Sequence, residues 1–190
     1  MITTAPKEVL APIQEQPSKP FTLEDFIANP PQDMEWVDGE LVEKTGMTVK
    51  HGIVQGRIGR YWSDYAAIHE PGGEASPELP CRTLKQGRRP DVAYLPPVVL
   101  TQTSQLQTAP QSYPLIAEVA SPTDDAEELF AKAIEYLESG CEEVWLVFPE
   151  AKLIMVKTID QSWQVFSSGQ TISTQKVLVG FSIAIDQVFA

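Results

Sequence analysis

One stretch limits what this chain can become: PLIAEVASPTDDAEELFAKAIEYLESG, residues 114–140. It opens as an apolar run over residues 115–120, the right length for a buried strand and far too short for a membrane span. Past Ser121-Pro122 the period changes. Ala126, Leu129, Phe130, Ala133, Ile134 and Leu137 then recur at helical spacing and share one face. Asp124 with Glu127 reads as a capping box, and Gly140 as the C-terminal stop. EEVWLVFPE follows as a further strand, and KLIMVKTI and SWQVFSS alternate as a meander.

The segments before this unit extend the same architecture. FTLEDFIAN starts a short helix, with Thr22 and Asp25 placed as a capping pair. MEWVDGELVEK carries Asp38-Gly39 between apolar-alternating pieces, a hairpin signal. Residues 48–68 read as a long helix, with Gly52, Gly56 and Gly59 suited to a close approach. Two strands are expected near 74–85 and 91–95, then a polar, mobile loop up to Pro114. The fold class is therefore mixed α/β with a central sheet. Residues 1–20 read as a flexible arm without the apolar core of a secretory signal, and residues 21–190 as one domain. Cys81 and Cys141 match no metal spacing and are expected as reduced thiols in a cytoplasmic protein.

Glu118 is the anomaly in the strand. A carboxylate among Leu115, Ile116, Ala117, Val119 and Ala120 is costly unless it is paired or binds a cation. Asp91, in RRPDVAYL, begins another short strand. If the two strands are neighbours, the acids converge, and a hard divalent cation such as Mg²⁺ relieves their repulsion. The plainer alternative has Asp91 ending a turn and Glu118 pairing with an arginine. Lys132, at the border of the helix's apolar stripe, either reaches Glu118 or pairs with Glu128 on the surface. Glu40 and Glu43 are expected to point to one face of the hairpin, with Glu40 placed to approach a cleft. His51 reads as a surface or capping group, and Ser121 as a turn residue without a histidine or acid at suggestive spacing.

The net charge of -12 speaks, taken whole, against a nucleic-acid binder. The charge is uneven, however. Residues 44–91 carry eight Lys and Arg against five Asp and Glu, which permits a phosphate-bearing ligand.

The ordered set TLEDFIANP, EWVDGELVE, RRPDVAYL, PLIAEVASPTDD, FAKAIEYLESGCEEVWLVFPE and FSIAIDQVF resembles the Uma-two family, the bacterial "putative restriction endonuclease" family of the PD-(D/E)XK nuclease superfamily. The resemblance spans about residues 21–190 and implies a restriction-endonuclease-like αβββαβ core, with the N-terminal helix-hairpin and the C-terminal β-meander as additions. It implies Asp91 and Glu118 as ligands to Mg²⁺ or Mn²⁺, joined by the carbonyl of Val119. Glu40 becomes an auxiliary acid. The usual E-x-K motif would place lysine at position 120, where Ala120 stands; the resemblance assigns that role to Lys132 on the following helix. Arg82, Lys85, Arg88 and Arg89 become candidate contacts to a nucleic-acid backbone, DNA foremost. The implied activity is metal-dependent phosphodiester hydrolysis. Two alternatives stay open: a catalytically inactive nuclease fold that binds nucleic acid or a protein, and a phosphodiesterase for small nucleotides. A homodimer through the meander is a further expectation.

Overall fold

The computed structural model describes residues 20–190, so the arm expected over residues 1–20 lies almost wholly outside the described residues. Thr22 caps α1 (Leu23–Ala28): its hydroxyl accepts from the Asp25 amide, and the Asp25 carboxylate accepts from the Thr22 amide. Strands β1 (Met34–Val37) and β2 (Glu40–Glu43) form the hairpin around Asp38 and Gly39, both at positive φ. The long helix α2 (Val49–His69) follows. Then come β3 (Glu74–Ser76), β4 (Cys81–Arg82), β5 (Gly87–Arg88), β6 (Val92–Leu95), α3 (Pro97–Thr103), β7 (Leu115–Val119), α4 (Ala126–Glu138) and β8 (Glu143–Phe148). The chain continues through β9 (Leu153–Thr158), β10 (Gln164–Ser167), β11 (Thr171–Ser173), β12 (Ser182–Ala184) and α5 (Ile185–Val188).

Six strands form the central sheet in the order β10-β9-β8-β7-β6-β3. Only β7 and β8, joined through α4, run parallel; the other neighbours are antiparallel. Taken in chain order, α2, β3, β6, β7, α4 and β8 give the αβββαβ core. A second sheet, β2-β1-β5-β4, joins the N-terminal hairpin to the excursion between β3 and β6.

Strand parity divides the core in two. Val92, Tyr94, Leu115, Ala117, Val119, Trp145 and Val147 pack with Val54, Ile58, Trp62 and Ala66 of α2. Ala93, Leu95, Ile116, Val144 and Leu146 pack with Ala133, Tyr136 and Leu137 of α4. Trp62 and Trp145 meet edge to face, with ring centroids 5.3 Å apart, and anchor the first layer. Glu118 shares parity with Ile116, so it faces α4 rather than α2.

Several local expectations are corrected. The strand expected over 74–85 divides into β3 and β4, which belong to different sheets. The polar stretch before Pro114 holds α3, which starts with Pro at its first turn, and Ala109 bridges to Cys81. Asp125, not Asp124, caps α4, accepting from the amides of Glu127 and Glu128; Asp124 instead accepts from the Ser121 amide. Both cysteines are free and buried. Among the described residues no helix is long and apolar enough to cross a membrane.

Candidate active site

The register of β6 on β7 sets the two acids together. Val92 pairs with Ala117 and Ala93 with Ile116, so one further step places Asp91 opposite Glu118. Both acids are buried, 3% exposed each. Asp91 also reaches across the strands: its Oδ2 accepts from the Val119 amide at 2.7 Å.

Helix α4 supplies the partners of Glu118. Lys132 and Tyr136, one turn apart, point to the same spot. The Tyr136 hydroxyl donates to Glu118 Oε1 at 2.7 Å. Lys132 Nζ lies 3.2 Å from Oε1 and 3.3 Å from Oε2. The same ammonium is 3.0 Å from Glu35 Oε1 on β1. Lys132 is thus drawn inward to two buried acids instead of pairing with Glu128.

Lys44 does for Asp91 what Lys132 does for Glu118. It follows β2 and places its ammonium 2.9 Å from Asp91 Oδ1 and 2.7 Å from Glu78 Oε2. Its loop is pressed against the β7–α4 turn at Gly46, where φ is +85° and a Cβ would lie 2.6 Å from Thr123 Oγ1. Position 46 therefore needs glycine both for its backbone and for space.

His51, in the first turn of α2, is buried between the two elements. Its Nδ1 is 3.0 Å from Ser121 Oγ, and its Nε2 faces Asp91 Oδ2 at 3.5 Å without forming a hydrogen bond. The sequence offered Ser121 no histidine; the fold brings one across from residue 51.

Opposite shifts follow from these surroundings. Burial pushes the Glu118 carboxyl up to about 7, against the pull of Lys132 and with the help of nearby Asp91. Burial also acts to raise Asp91, but the Lys44 ammonium and His51 outweigh it and hold that carboxyl well below the usual range. Burial would lower Lys132; Glu118, Glu35 and Asp91 override it and keep the ammonium charged. Burial would likewise raise Glu35, yet Lys132 and Arg88 hold it down.

These groups line one wall of a cavity of about 690 Å³ between the hairpin, α2 and α4. Around it, the carboxylates of Glu35, Glu78, Asp91, Glu118 and Glu135 are bridged by only Lys44, Arg88 and Lys132. With His51 neutral and all five carboxylates ionised, that network is two positive charges short. Among the described residues, no three His, Cys, Asp or Glu side chains are already gathered as a metal cluster. Neither Asp91 nor Glu118 has all its lone pairs engaged, however. Asp91 accepts one donor on each oxygen, and Glu118 Oε2 accepts only from Lys132.

Of the residues expected at the site, Asp91, Glu118, Val119, Lys132 and Arg88 line the cavity together. Glu40 does not: it is exposed beside the hairpin turn. Glu43 does line the cavity; a separation of three residues puts it on the opposite strand face from Glu40, which corrects the expected shared face. Arg88 and Arg89 are turned inward. Arg88 pairs with Glu35 and Glu135, and Arg89 donates to the carbonyls of Met34, Glu78, Pro30 and Pro31. Arg82 pairs with exposed Glu24, Lys85 is exposed, and neither lines the cavity.

Glu35, Lys44 and His51 are the site residues that sequence reasoning passed over. Glu35 carried a legible signal: like Glu118, it is an acid inside an apolar strand, between Met34 and Trp36. Lys44 and His51 carried none, because their partners are distant in the chain.

Comparison with known proteins matches the chain to a family. The Uma2 model, described as "Putative restriction endonuclease", matches residues 21–186. The crystal structure of "a putative nuclease belonging to DUF820" from Anabaena variabilis ATCC 29413 superimposes with a TM-score of 0.79 at 18% identity, covering 90% of this chain and 98% of that one. At that identity the likeness establishes the fold. No curated protein matches the chain.

Proposed function

The chain belongs to the Uma2 family, whose description is "Putative restriction endonuclease", and from that premise we propose that it hydrolyses phosphodiester bonds of nucleic acid with the help of Mg²⁺ or Mn²⁺. The observation that carries the reading is the meeting of Asp91 and Glu118 from adjacent strands with Lys132 from α4, in a buried network with more carboxylates than cations. The donor set fits a hard divalent ion: carboxylate oxygens with unused lone pairs, and the main-chain carbonyl of Val119 at the cavity wall. Such an ion, when bound, polarises the phosphate and lowers the pKa of a coordinated water.

The chain's own residues do the rest. Asp91 is fixed as a carboxylate by Lys44 and by the Val119 amide, so it is ready to bind a cation throughout the physiological range. Lys132 stays protonated, which rules it out as a base and suits it to orient a water and to offset charge building on the phosphoryl oxygens. Glu35 holds the Lys132 ammonium from the side opposite Glu118 and takes the auxiliary place that Glu40 does not occupy. Tyr136 fixes the rotamer of Glu118 through its hydrogen bond.

A second reading rests on a separate observation. Of the four candidate backbone contacts, Arg88 and Arg89 are engaged by protein partners, which leaves Arg82 and Lys85 at the surface outside the cavity. A small nucleotide phosphodiester needs no extended basic surface. The deciding assay incubates supercoiled plasmid, a duplex oligonucleotide and a small chromogenic phosphodiester with Mg²⁺ or Mn²⁺. Metal-dependent cleavage of the plasmid or duplex, lost in Asp91→Asn and Glu118→Gln, supports the nuclease. Cleavage of the small ester alone supports the second reading. No cleavage of any of the three counts against both.

A further inference from the structure

Four buried side-chain polar atoms among the described residues lack a hydrogen-bond partner: His51 Nε2, Trp62 Nε1, Thr108 Oγ1 and Ser112 Oγ. Of the residues that carry them, only His51 lines the cavity. His51 is 6% exposed, and the nitrogen itself is buried. An orphaned ring nitrogen aimed at a carboxylate invites an explanation.

The other side of the ring is held. Nδ1 lies 3.0 Å from Ser121 Oγ, and the His51 amide donates to Thr48 Oγ1 at 3.1 Å. With the Nδ1 proton on Ser121, the Nε2 lone pair looks straight at Asp91 Oδ2, 3.5 Å away. In that tautomer two acceptors face one another, and a cation seated against both would relieve the repulsion. Cis ligands on an octahedral ion with bonds near 2.1 Å lie about 3 Å apart, so only a small closure separates this pair from ligand spacing. A ring nitrogen presented to a metal while the other is pinned by a hydrogen-bond acceptor is the usual arrangement of a ligating histidine.

We propose that His51 Nε2 is a third protein ligand to the cation held by Asp91 and Glu118, with Ser121 fixing the ring. The inference rests on the metal-dependent reading above and sharpens it: an imidazole nitrogen favours Mn²⁺, Co²⁺ or Zn²⁺ over Mg²⁺, which prefers oxygen alone. The site is therefore selective for a transition-metal ion.

The chain contains two histidines, and both lie on α2. His69, exposed and stacked on Tyr65 at a centroid distance of 4.1 Å, is a built-in control. The full-length protein, labelled with ¹⁵N-histidine, is titrated with diamagnetic Zn²⁺ while calorimetry follows binding. The Nε2 resonance of His51 should move to a metal-bound position with Nδ1 still protonated, and His69 should not move. In parallel, His51→Asn should weaken Mn²⁺ binding by at least about tenfold and Mg²⁺ binding by less than about threefold. Asp91→Asn should abolish both. Saturation with Zn²⁺ that leaves His51 unmoved overturns the ligand assignment, even if Asp91→Asn abolishes binding and so preserves the metal reading. Absence of any metal binding by the wild type overturns both together. The labelled wild type decides the matter even if His51→Asn does not fold.

Discussion

Glu118 and Glu143 are two buried glutamates on neighbouring parallel strands, and they do opposite work. Glu143, at the start of β8, is 0% exposed. Its carboxylate accepts from the Trp145 indole at 2.7 Å and from the amides of Gln175 and Lys176 at 2.6 and 2.8 Å. Among the described residues no cation pairs with it, and it does not line the cavity that holds Asp91 and Glu118. It ties the C-terminal segment onto the sheet. Glu118, near the end of β7, meets a lysine, a tyrosine and a second acid at the wall of a 690 Å³ cavity. Burial raises the pKa of both. A buried acid is therefore not a site in itself. What separates the two is whether neutral donors complete the carboxylate, or whether a charged network is left short beside open space.

The sharpest way to break that contrast is to neutralise each acid. Asp91→Asn and Glu118→Gln should each reduce metal-dependent cleavage by roughly 10³-fold or more, about 4 kcal/mol of transition-state stabilisation, and still melt cooperatively. Lys132→Ala should cost roughly 10²–10³-fold. Cleavage by Glu118→Gln at a wild-type rate would place Glu118 with Glu143, as a structural acid. The complementary change, Glu143→Ala, strands three buried donors. It should destabilise the protein by about 3 kcal/mol, roughly 6–12 °C in Tm, and leave Mn²⁺ affinity unchanged in calorimetry.

The two acids also differ in how they answer to pH and metal together. A carboxyl raised from its ordinary 4.5 to about 7 binds more protons in the folded than in the unfolded state across that window. Stability should therefore fall as pH rises from about 4.5 to 7, on the order of 3 kcal/mol from Glu118 in the absence of metal. Denaturant melts across this range should show the decline in the wild type and a flatter profile in Glu118→Gln. Saturating Mg²⁺ or Mn²⁺ should flatten the wild type and leave the variant unchanged, because a cation stabilises the ionised form of Glu118 and does not touch Glu143. Asp91, with its pKa depressed, contributes in the opposite sense, and its contribution is lost only as pH falls below the ordinary carboxylate range. The smallest effect belongs to an acid that is neither site nor anchor. Glu40→Gln should change cleavage by less than about twofold and stability by no more than about 0.5 kcal/mol.

How much of this was legible in the chain follows from what each residue needs. Glu118 stood out because its neighbours in sequence are also its strand, so a polar residue in an apolar run is visible without a fold. Asp91 was legible as a second acid opening a short strand, and Lys132 was preferred over its surface pairing only with the family's motif order. Glu35 carried the same local signal as Glu118 and was passed over for Glu40, whose neighbours Asp38-Gly39 drew attention to the turn rather than to the strand before it. Arg88 and Arg89 looked like surface cations because nothing in sequence announces that β5 pairs with β1 and buries their partners. His51 depends on contacts 40 and 70 residues away, with Asp91 and Ser121, which only the fold creates. Strands of two residues such as β4 and β5 leave no periodicity to read. α3 hid in a polar stretch, although Pro97 at its first turn was its one available start signal.

The most direct test of the central claim is an anomalous difference map from crystals of the wild type soaked in Mn²⁺. The account predicts a single strong peak in the cavity, within about 2.3 Å of carboxylate oxygens from both Asp91 and Glu118. A map with the manganese bound elsewhere, or with no peak in the cavity, would contradict it.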